Sequence, residues 1–464
     1  MKPGKEKRSV SILTASITKQ MVLYGQTLSR VILDKSYIMK KVLVITYYWP
    51  PSGGPGVQRW LKFVKYLPQF GYEPIVLTVD PKKATYPLVD DTLSKEIDGK
   101  LQVIYTNTSE PYSLYKKLFR RKQVPYSGFA NDPGTGFLNK LARFIRGNIF
   151  VPDARIGWNR YALPKALKLI DSHKIATIIT TSPPHSTQLI GRKIKKRRPQ
   201  VQWIADLRDP WTDIYYYDKM LHLPFIKKSD ARLERKVLMQ ADKLVTVSYF
   251  LAEGFSYKLK ASQQRHIDVI TNGYDPDDFA QQHPEPAGDK FIITYTGTVS
   301  DEYDLSGLIK ALSRAKANMP IPLELNFIGH VCDYWKKRLQ DSFPDSLQLM
   351  EHVSHKQAIT HMYSAHMLLL LIPDIPGNMG IVTGKIFEYI ATRRPVLGVG
   401  PHLGDASIIL DEINAGRMFE YDDIKEMVNF IEKQCSQKTQ ESRYDPEAYS
   451  RVNLTKKLTR LISG

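Results

Sequence analysis

Only two cysteines, Cys332 and Cys435, occur in 464 residues, so no disulfide framework and no cysteine-based metal cluster can be built. That scarcity fits a reducing compartment. Long apolar runs are missing as well. The longest, HMLLLLIPDIPG, has the length of a strand and stops at Pro and Gly, short of the roughly 18 apolar residues of a spanning helix. Acidic residues are outnumbered: 47 Asp and Glu stand against 66 Lys and Arg, a net charge of +19. Such an excess requires an anionic partner, which leaves nucleic acid, a membrane surface or phosphorylated substrates. No helix-turn-helix, zinc or RNA-binding motif accompanies the basic run GRKIKKRRP, so no nucleic-acid partner is expected. A metal-binding DxD followed by an acidic partner is absent too, and no metal site is expected.

What is present is a globular composition, 42% hydrophobic and 24% charged. The length exceeds one ordinary core and predicts two domains. Residues 1–38 lack strong periodicity, and their apolar patches are too short for a secretory signal. Met39 sits immediately before KKVLVITYYWPPSGG, where a fold would naturally begin. The expectation is a start at Met39 or a dispensable leader.

From Met39 the pattern is strand, glycine-rich loop, helix, strand. KVLVIT is a buried-strand run, YYWPPSGGPG a loop, VQRWLKFVKYLPQFG an amphipathic helix and YEPIVLTVD the next strand. KIATIITTS, VQWIADL and DKLVTVS repeat the short apolar strand, with helical stretches between them. A second series follows DVITNGYDPDDF: FIITYTGTV, LELNFIG, LQLMEHV and HMLLLLI, again separated by helices. The alternation predicts two parallel-sheet α/β domains joined near residues 273–282. The tail, DPEAYSRVNLTKKLTRLISG, reads as one amphipathic helix after a Pro start.

Four stretches carry chemistry. In the loop at 50–59, Gly53 and Gly54 let backbone N–H groups approach a ligand at the end of the first strand. It is not GxGxxG, so a dinucleotide is not indicated; a plain flexible loop is the alternative. His185, after a Pro-Pro pair, and Asp206, Arg208 and Asp209 all follow strands. Three charges at a strand end form either a polar site wall, with Arg208 available for phosphate, or an Arg208–Asp209 pair ordering the loop. The segment GFLNKLARFIRGNIF is a basic amphipathic helix. Its apolar arc is opposed by Lys140, Arg143 and Arg146, with a further basic run, YSLYKKLFRRK, upstream. It is either an interfacial helix for anionic lipid or a core helix with a solvated basic face. Finally, TGKIFEYIATRRP places Ile386, Phe387 and Ile390 on one face and Lys385, Glu388, Tyr389 and Thr392 on the other.

Taken in order, KVLVITYYWPPSGGPGVQR, WIADLRDPW, VITNGYDPDDF, YTGTV and TGKIFEYIATRRPVLGVGP resemble the family 4 (group 1) glycosyltransferases, nearest to bacterial members that build cell-surface polysaccharides. The resemblance spans Met39 to the C-terminus. It implies a GT-B architecture of two Rossmann-like domains facing a cleft: an N-terminal acceptor domain over 39–277, a C-terminal donor domain over 278–444 and a helix at 445–464 crossing back. It implies a retaining, metal-independent transfer of a sugar from a nucleotide-diphosphate sugar, a co-substrate, to a glycan or lipid-linked acceptor. The implied location is the cytoplasm, at the inner face of the plasma membrane. A non-catalytic sugar-nucleotide-binding protein and another GT-B activity on a soluble sugar are the alternatives.

On these motifs Thr383 caps the helix, while its N-terminus at Gly384 and the Lys385 ammonium hold the donor diphosphate. Glu388, about 4.5 Å further along the axis, matches the second Glu of the family's E-x7-E motif and grips the ribose. Gly297 and Thr298, after the first strand of the second domain, line the same site. Two departures stand out. The first Glu of the motif is replaced by Gly380, leaving backbone N–H groups from Asn378, Met379, Gly380 and Ile381 to meet the sugar. The Arg and Lys that usually follow YTGTV are also missing, so Lys385 and Arg208 must carry more charge, with His185 placed near the catalytic region.

Overall fold

The computed structural model describes residues 39–110, 137–281, 284–286, 288–351, 353–437 and 444–463. The leader at 1–38 and the run YSLYKKLFRRK lie outside them.

Two sheets form. The first contains β1 (Lys40–Ile45), β2 (Tyr72–Val79), β3 (Gln102–Thr106), β4 (Thr177–Ser182), β5 (Gln202–Leu207), β6 (Lys243–Thr246) and β7 (Asp268–Val269). Their order is β3-β2-β1-β4-β5-β6-β7, every pair parallel. The second contains β8 (Phe291–Thr296), β9 (Leu323–Ile328), β10 (Leu347–Met350), β11 (Met367–Leu371), β12 (Val396–Val399) and β13 (Gly416–Phe419), ordered β10-β9-β8-β11-β12-β13 and again parallel. The expected two-domain α/β architecture is what forms. Strands made of continuous apolar runs are covered on both faces: Val42, Leu43, Val44 and Ile45 are fully buried, as are their counterparts in β11.

Strand order reverses between β1 and β4 in the first sheet and between β8 and β11 in the second. In an open parallel sheet the crevice beyond such a switch point is where ligands bind, because the loops on either side diverge to opposite faces. The loops after β1, β4, β8 and β11 are thereby marked by topology alone.

The tail differs from its expected single helix. Asp445 caps a 3-10 turn at Pro446–Tyr449, Ser450 is extended and the helix runs Arg451–Ser463. The interruption has a cause: Tyr274 N–H donates to the Tyr449 carbonyl at 3.2 Å and Arg451 N–H to the Tyr274 carbonyl at 2.8 Å, pinning residue 450 in a strand-like bridge. Leu454, Leu458 and Ile462 then pack with Val57, Trp60 and Leu61 of the first domain. Burial of three aliphatic side chains contributes at most several kcal/mol. The helix does cross back.

Candidate functional site

At the end of β8 the backbone passes Gly297 at φ +119, a conformation suited to glycine. A Cβ there would lie 2.4 Å from Nζ of Lys385, so the lysine rests on the strand end. Lys385 Nζ donates to the Tyr295 hydroxyl at 2.8 Å and stands 4.5 Å from the ring centroid. The Tyr295 hydroxyl donates onward to the carbonyl of exposed Thr298 at 2.8 Å. Burial pulls the lysine down to about 8, with Glu388 opposing the shift. A desolvated ammonium at a switch-point crevice is chemically suited to pairing with an anion.

The helix Gly384–Ala391 holds this lysine in its first turn. Thr383 stands at the N-cap position but makes no capping bond; its hydroxyl is buried without a hydrogen-bond partner. Space is open beside Gly384. Tyr389, expected on the polar face, is instead fully buried: its hydroxyl accepts from the Thr296 N–H at 3.0 Å and ties the helix to β8. Thr392 is buried too, with its hydroxyl on the Tyr389 carbonyl. Lys385 and Glu388 do share a face. The Glu388 carboxylate pairs with Nε2 of His355 at 3.0 Å.

The turn after β11 is closed on itself. Asn378 N–H donates to Ile375, Gly380 N–H to Gly377 and Ile381 N–H to Asn378, while the Asn378 side chain donates to the Pro373 carbonyl. Three of the four N–H groups expected to face the sugar are thus used within the turn. Met379 presents its carbonyl toward Gly404. A Cβ on Gly380 would meet Phe250 Cδ1 at 2.7 Å, so an aromatic ring of the first domain sits against that glycine.

On the first domain, Gly54 (φ 105) opens the helix Pro55–Tyr66, and Gly53 N–H donates to the Leu88 carbonyl at 3.0 Å. Arg208 lies against this loop. Its Nε donates to Thr181 Oγ1 at 3.1 Å and Nη2 to the Pro183 carbonyl at 3.1 Å, while Nη1 lies 1.7 Å from where a Cβ of Gly56 would stand. Only glycine at 56 admits the guanidinium. Desolvation lowers its affinity for the proton, and Asp209 and Asp206 oppose this. Arg208 is thus ordered by the β4 loop through Thr181 and Pro183. Asp206 is no part of a wall: it is buried and bound by Arg59, Trp60 and Thr181. Asp209 is held above the usual carboxylate range by desolvation.

His185 lies beneath this surface, buried and stacked on Trp211 at 4.8 Å between centroids. Burial, aided by Lys258 and Arg208, lowers it to about 3 against a hydrogen bond to the Pro210 carbonyl. The ring is neutral at physiological pH, unsuited to shuttling protons there.

The amphipathic helix forms at Phe137–Ile149. Its inward side is Gly147, against the Met220 carbonyl, and Asn148, which bonds the backbone of Leu221 and Leu223. Leu141, Phe144, Ile145 and Ile149 are 39% to 67% exposed, so the apolar arc faces out rather than into a core. Lys140 is exposed and Arg143 and Arg146 are half-buried, Arg146 close to Tyr216, which also neighbours Asp209.

Sequence reasoning missed Gly56, Tyr295, Phe250, His355 and Arg451. Arg451 is buried with Nη1 unpartnered; burial and then Arg59 pull it down to about 9, against Asp275 and Glu388. Tyr295 and Gly56 lay inside stretches already marked as chemical; the others had no local signal. Among the described residues no group of three or more His, Cys, Asp or Glu could hold a metal ion.

No family model and no curated protein matches this sequence. Solved structures do. The chain is similar to a glycosyltransferase from Rickettsia africae ESF-5 (17% identity, TM-score 0.55, 91% of this chain and 97% of that one). It is also similar to HepE from Anabaena in complex with UDP (13%, 0.55, 91% and 99%) and to sucrose-phosphate synthase from Thermosynechococcus elongatus (11%, 0.57, 91% and 98%). At these identities the likeness defines the fold, which is GT-B.

Proposed function

We propose that the protein is a retaining, metal-independent glycosyltransferase of the family 4 type. It would move a hexosyl group from a nucleotide-diphosphate sugar to a glycan or lipid-linked acceptor in cell-surface polysaccharide synthesis. The observation that carries this reading is Lys385, desolvated against Gly297 at the β8–β11 switch point, with Glu388 one turn further along the same helix. A diphosphate at the helix start restores the charge balance of the lysine, and the ribose hydroxyls meet the carboxylate. The UDP held by the Anabaena relative supports testing that nucleotide first.

Transfer with retention needs no enzyme nucleophile in this scheme. The leaving diphosphate takes the acceptor proton on the face where the new bond forms, and the protein positions and stabilises charge. Arg208 would face the reacting groups from the first domain, with the neutral His185 beneath it as support. Calorimetric titration of UDP, GDP and ADP into the wild type and Glu388→Gln tests the donor site. Binding of one nucleotide, weakened at least tenfold by the substitution, is expected. Binding without transfer or slow donor hydrolysis would favour a non-catalytic nucleotide-binding protein.

The outward apolar arc of Phe137–Ile149 beside Lys140, Arg143 and Arg146 supports a peripheral position on an anionic membrane, at the cytoplasmic face. No helix among the described residues is long and apolar enough to cross one. Sedimentation with anionic but not neutral liposomes, lost at high salt, is expected; equal binding to both would rule out this docking.

A further inference from the structure

The contact between Glu388 and His355 has no counterpart in the motifs that mark the donor site. His355 opens the helix His355–Tyr363 directly after the β10 edge of the second sheet, far from Glu388 in sequence. Its position is built. A capping box closes the helix start: Gln357 N–H donates to Ser354 Oγ at 3.3 Å, and Ser354 N–H donates to Gln357 Oε1 at 3.0 Å. The ring that follows this cap reaches Glu388 Oε1 with Nε2 at 3.0 Å. Among the described residues Glu388 Oε2 makes no hydrogen bond, so one oxygen is anchored and the other is available.

We propose that His355 is a positioning residue of the donor site, holding the Glu388 carboxylate for the ribose hydroxyls and linking nucleotide affinity to its own protonation. This rests on the donor reading given above. A glutamate on a helix surface has rotamers to lose before it grips a diol, and a partner on a separate, capped helix removes that freedom before the ligand arrives. The side chains are 54% exposed for His355 and 28% for Glu388, so solvent screens the pair and its effect is modest.

The charges around it set the sign. Asp278 and Lys62 face His355, while Lys385 and Arg451 lie on the Glu388 side. The Glu388 hydrogen bond raises the histidine above its ordinary 6.5, with Asp278 assisting and burial and Lys62 opposing. Protonation of the imidazole is therefore favoured relative to a free histidine and is lost as pH rises through the raised value. Nucleotide affinity falls over the same interval. Lys385 also loses charge near pH 8, but it acts on the phosphates. Inorganic diphosphate, which has no ribose, separates the two effects.

The test titrates UDP, GDP and ADP, and inorganic diphosphate, into the wild type, His355→Ala, His355→Gln and Lys385→Met at pH 6.5 and 8.5. His355→Ala is expected to weaken the nucleotide that binds by about three- to tenfold at pH 6.5, and to leave inorganic diphosphate unchanged. His355→Gln, which keeps an N–H donor, is expected to restore most of the affinity and to retain only the decline due to Lys385. Lys385→Met should weaken both ligands. Wild-type binding that His355→Ala leaves unaltered, or tightens, would overturn the positioning role while sparing the donor site. A wild type that binds none of the nucleotides would overturn both.

Discussion

A Cβ placed on Gly297 would lie 2.3 Å from Cε of Lys385, so the lysine stem runs directly against the backbone that ends β8. The glycine has two reasons to be there, its φ of +119 and the lysine it admits. Gly297→Ala is expected to lower stability by about 1–3 kcal/mol, from backbone strain and displacement of the lysine. It should also weaken nucleoside diphosphate binding at least tenfold. Urea unfolding and calorimetry read the two effects separately. Unchanged affinity would mean that the ammonium does not meet the phosphates.

Lys385 itself is held charged at a cost. With its value pulled down to about 8 by burial, the folded state disfavours the ammonium below that pH relative to the unfolded chain, where 10.5 applies. The sign is therefore opposite to that of a paired lysine: stability relative to the unfolded chain rises between pH 8 and 10.5. Lys385→Met, which removes the charge and keeps the stem, is expected to stabilise the ligand-free protein at pH 7 by on the order of 1 kcal/mol, allowing for solvent screening of a side chain that is not fully buried. The same variant should lose the rise in melting temperature that nucleotide gives the wild type. A destabilised ligand-free variant would show that the ammonium is satisfied in the folded state.

The difference between what could be read from the chain and what could not follows the range of the interactions. Strands such as β1 and β11 are continuous apolar runs, visible in any short window, and so was the pairing of Lys385 with Glu388 on one helix face. Tyr389 was misplaced because an amphipathic wheel counts a tyrosine as polar, whereas its hydroxyl finds the Thr296 N–H only after β8 is laid beside the helix. Asp206 looked like a site charge until Arg59, 147 residues earlier, met it in the core. The break before Arg451 depends on Tyr274, and the pairing of His355 depends on the order of strands in the second sheet. Each of these is a long-range contact, for which no periodicity exists.

The domains meet where Phe250 of the helix Tyr249–Tyr257 lies on Gly380, and the Asp405 carboxylate accepts from the Phe250 N–H at 3.0 and 3.3 Å. The carboxylate of one domain thereby caps a helix of the other. Introducing a glutamate by Gly380→Glu is expected to drive the ring away, costing about 1–3 kcal/mol and enlarging the radius of gyration in solution scattering. Adding Phe250→Ala should recover part of that loss, since the two positions share one space and their effects cannot be additive. A double variant no better than the sum of its parts would mean that the clash is relieved elsewhere.

Acid is expected to weaken the segment that joins the two sheets through Asp275. Asp275, in the segment between the domains, accepts from Lys62, Lys65 and Tyr66 of the first helix. Burial pushes its carboxyl up, but those three partners outweigh it and hold the group at about 2. Because the folded value lies below 3.8, the stabilisation is complete above the unfolded value and is lost as pH falls through about 2. The gap corresponds to roughly 2.5 kcal/mol at about 1.4 kcal/mol per unit. Asp275→Asn is expected to cost about that amount or more at pH 7, since Lys62 is left with weaker partners, and to flatten the fall in stability between pH 5 and 2. Denaturant midpoints measured across that range provide the check, and a variant that keeps the full acid sensitivity of the wild type would place its origin in other carboxylates.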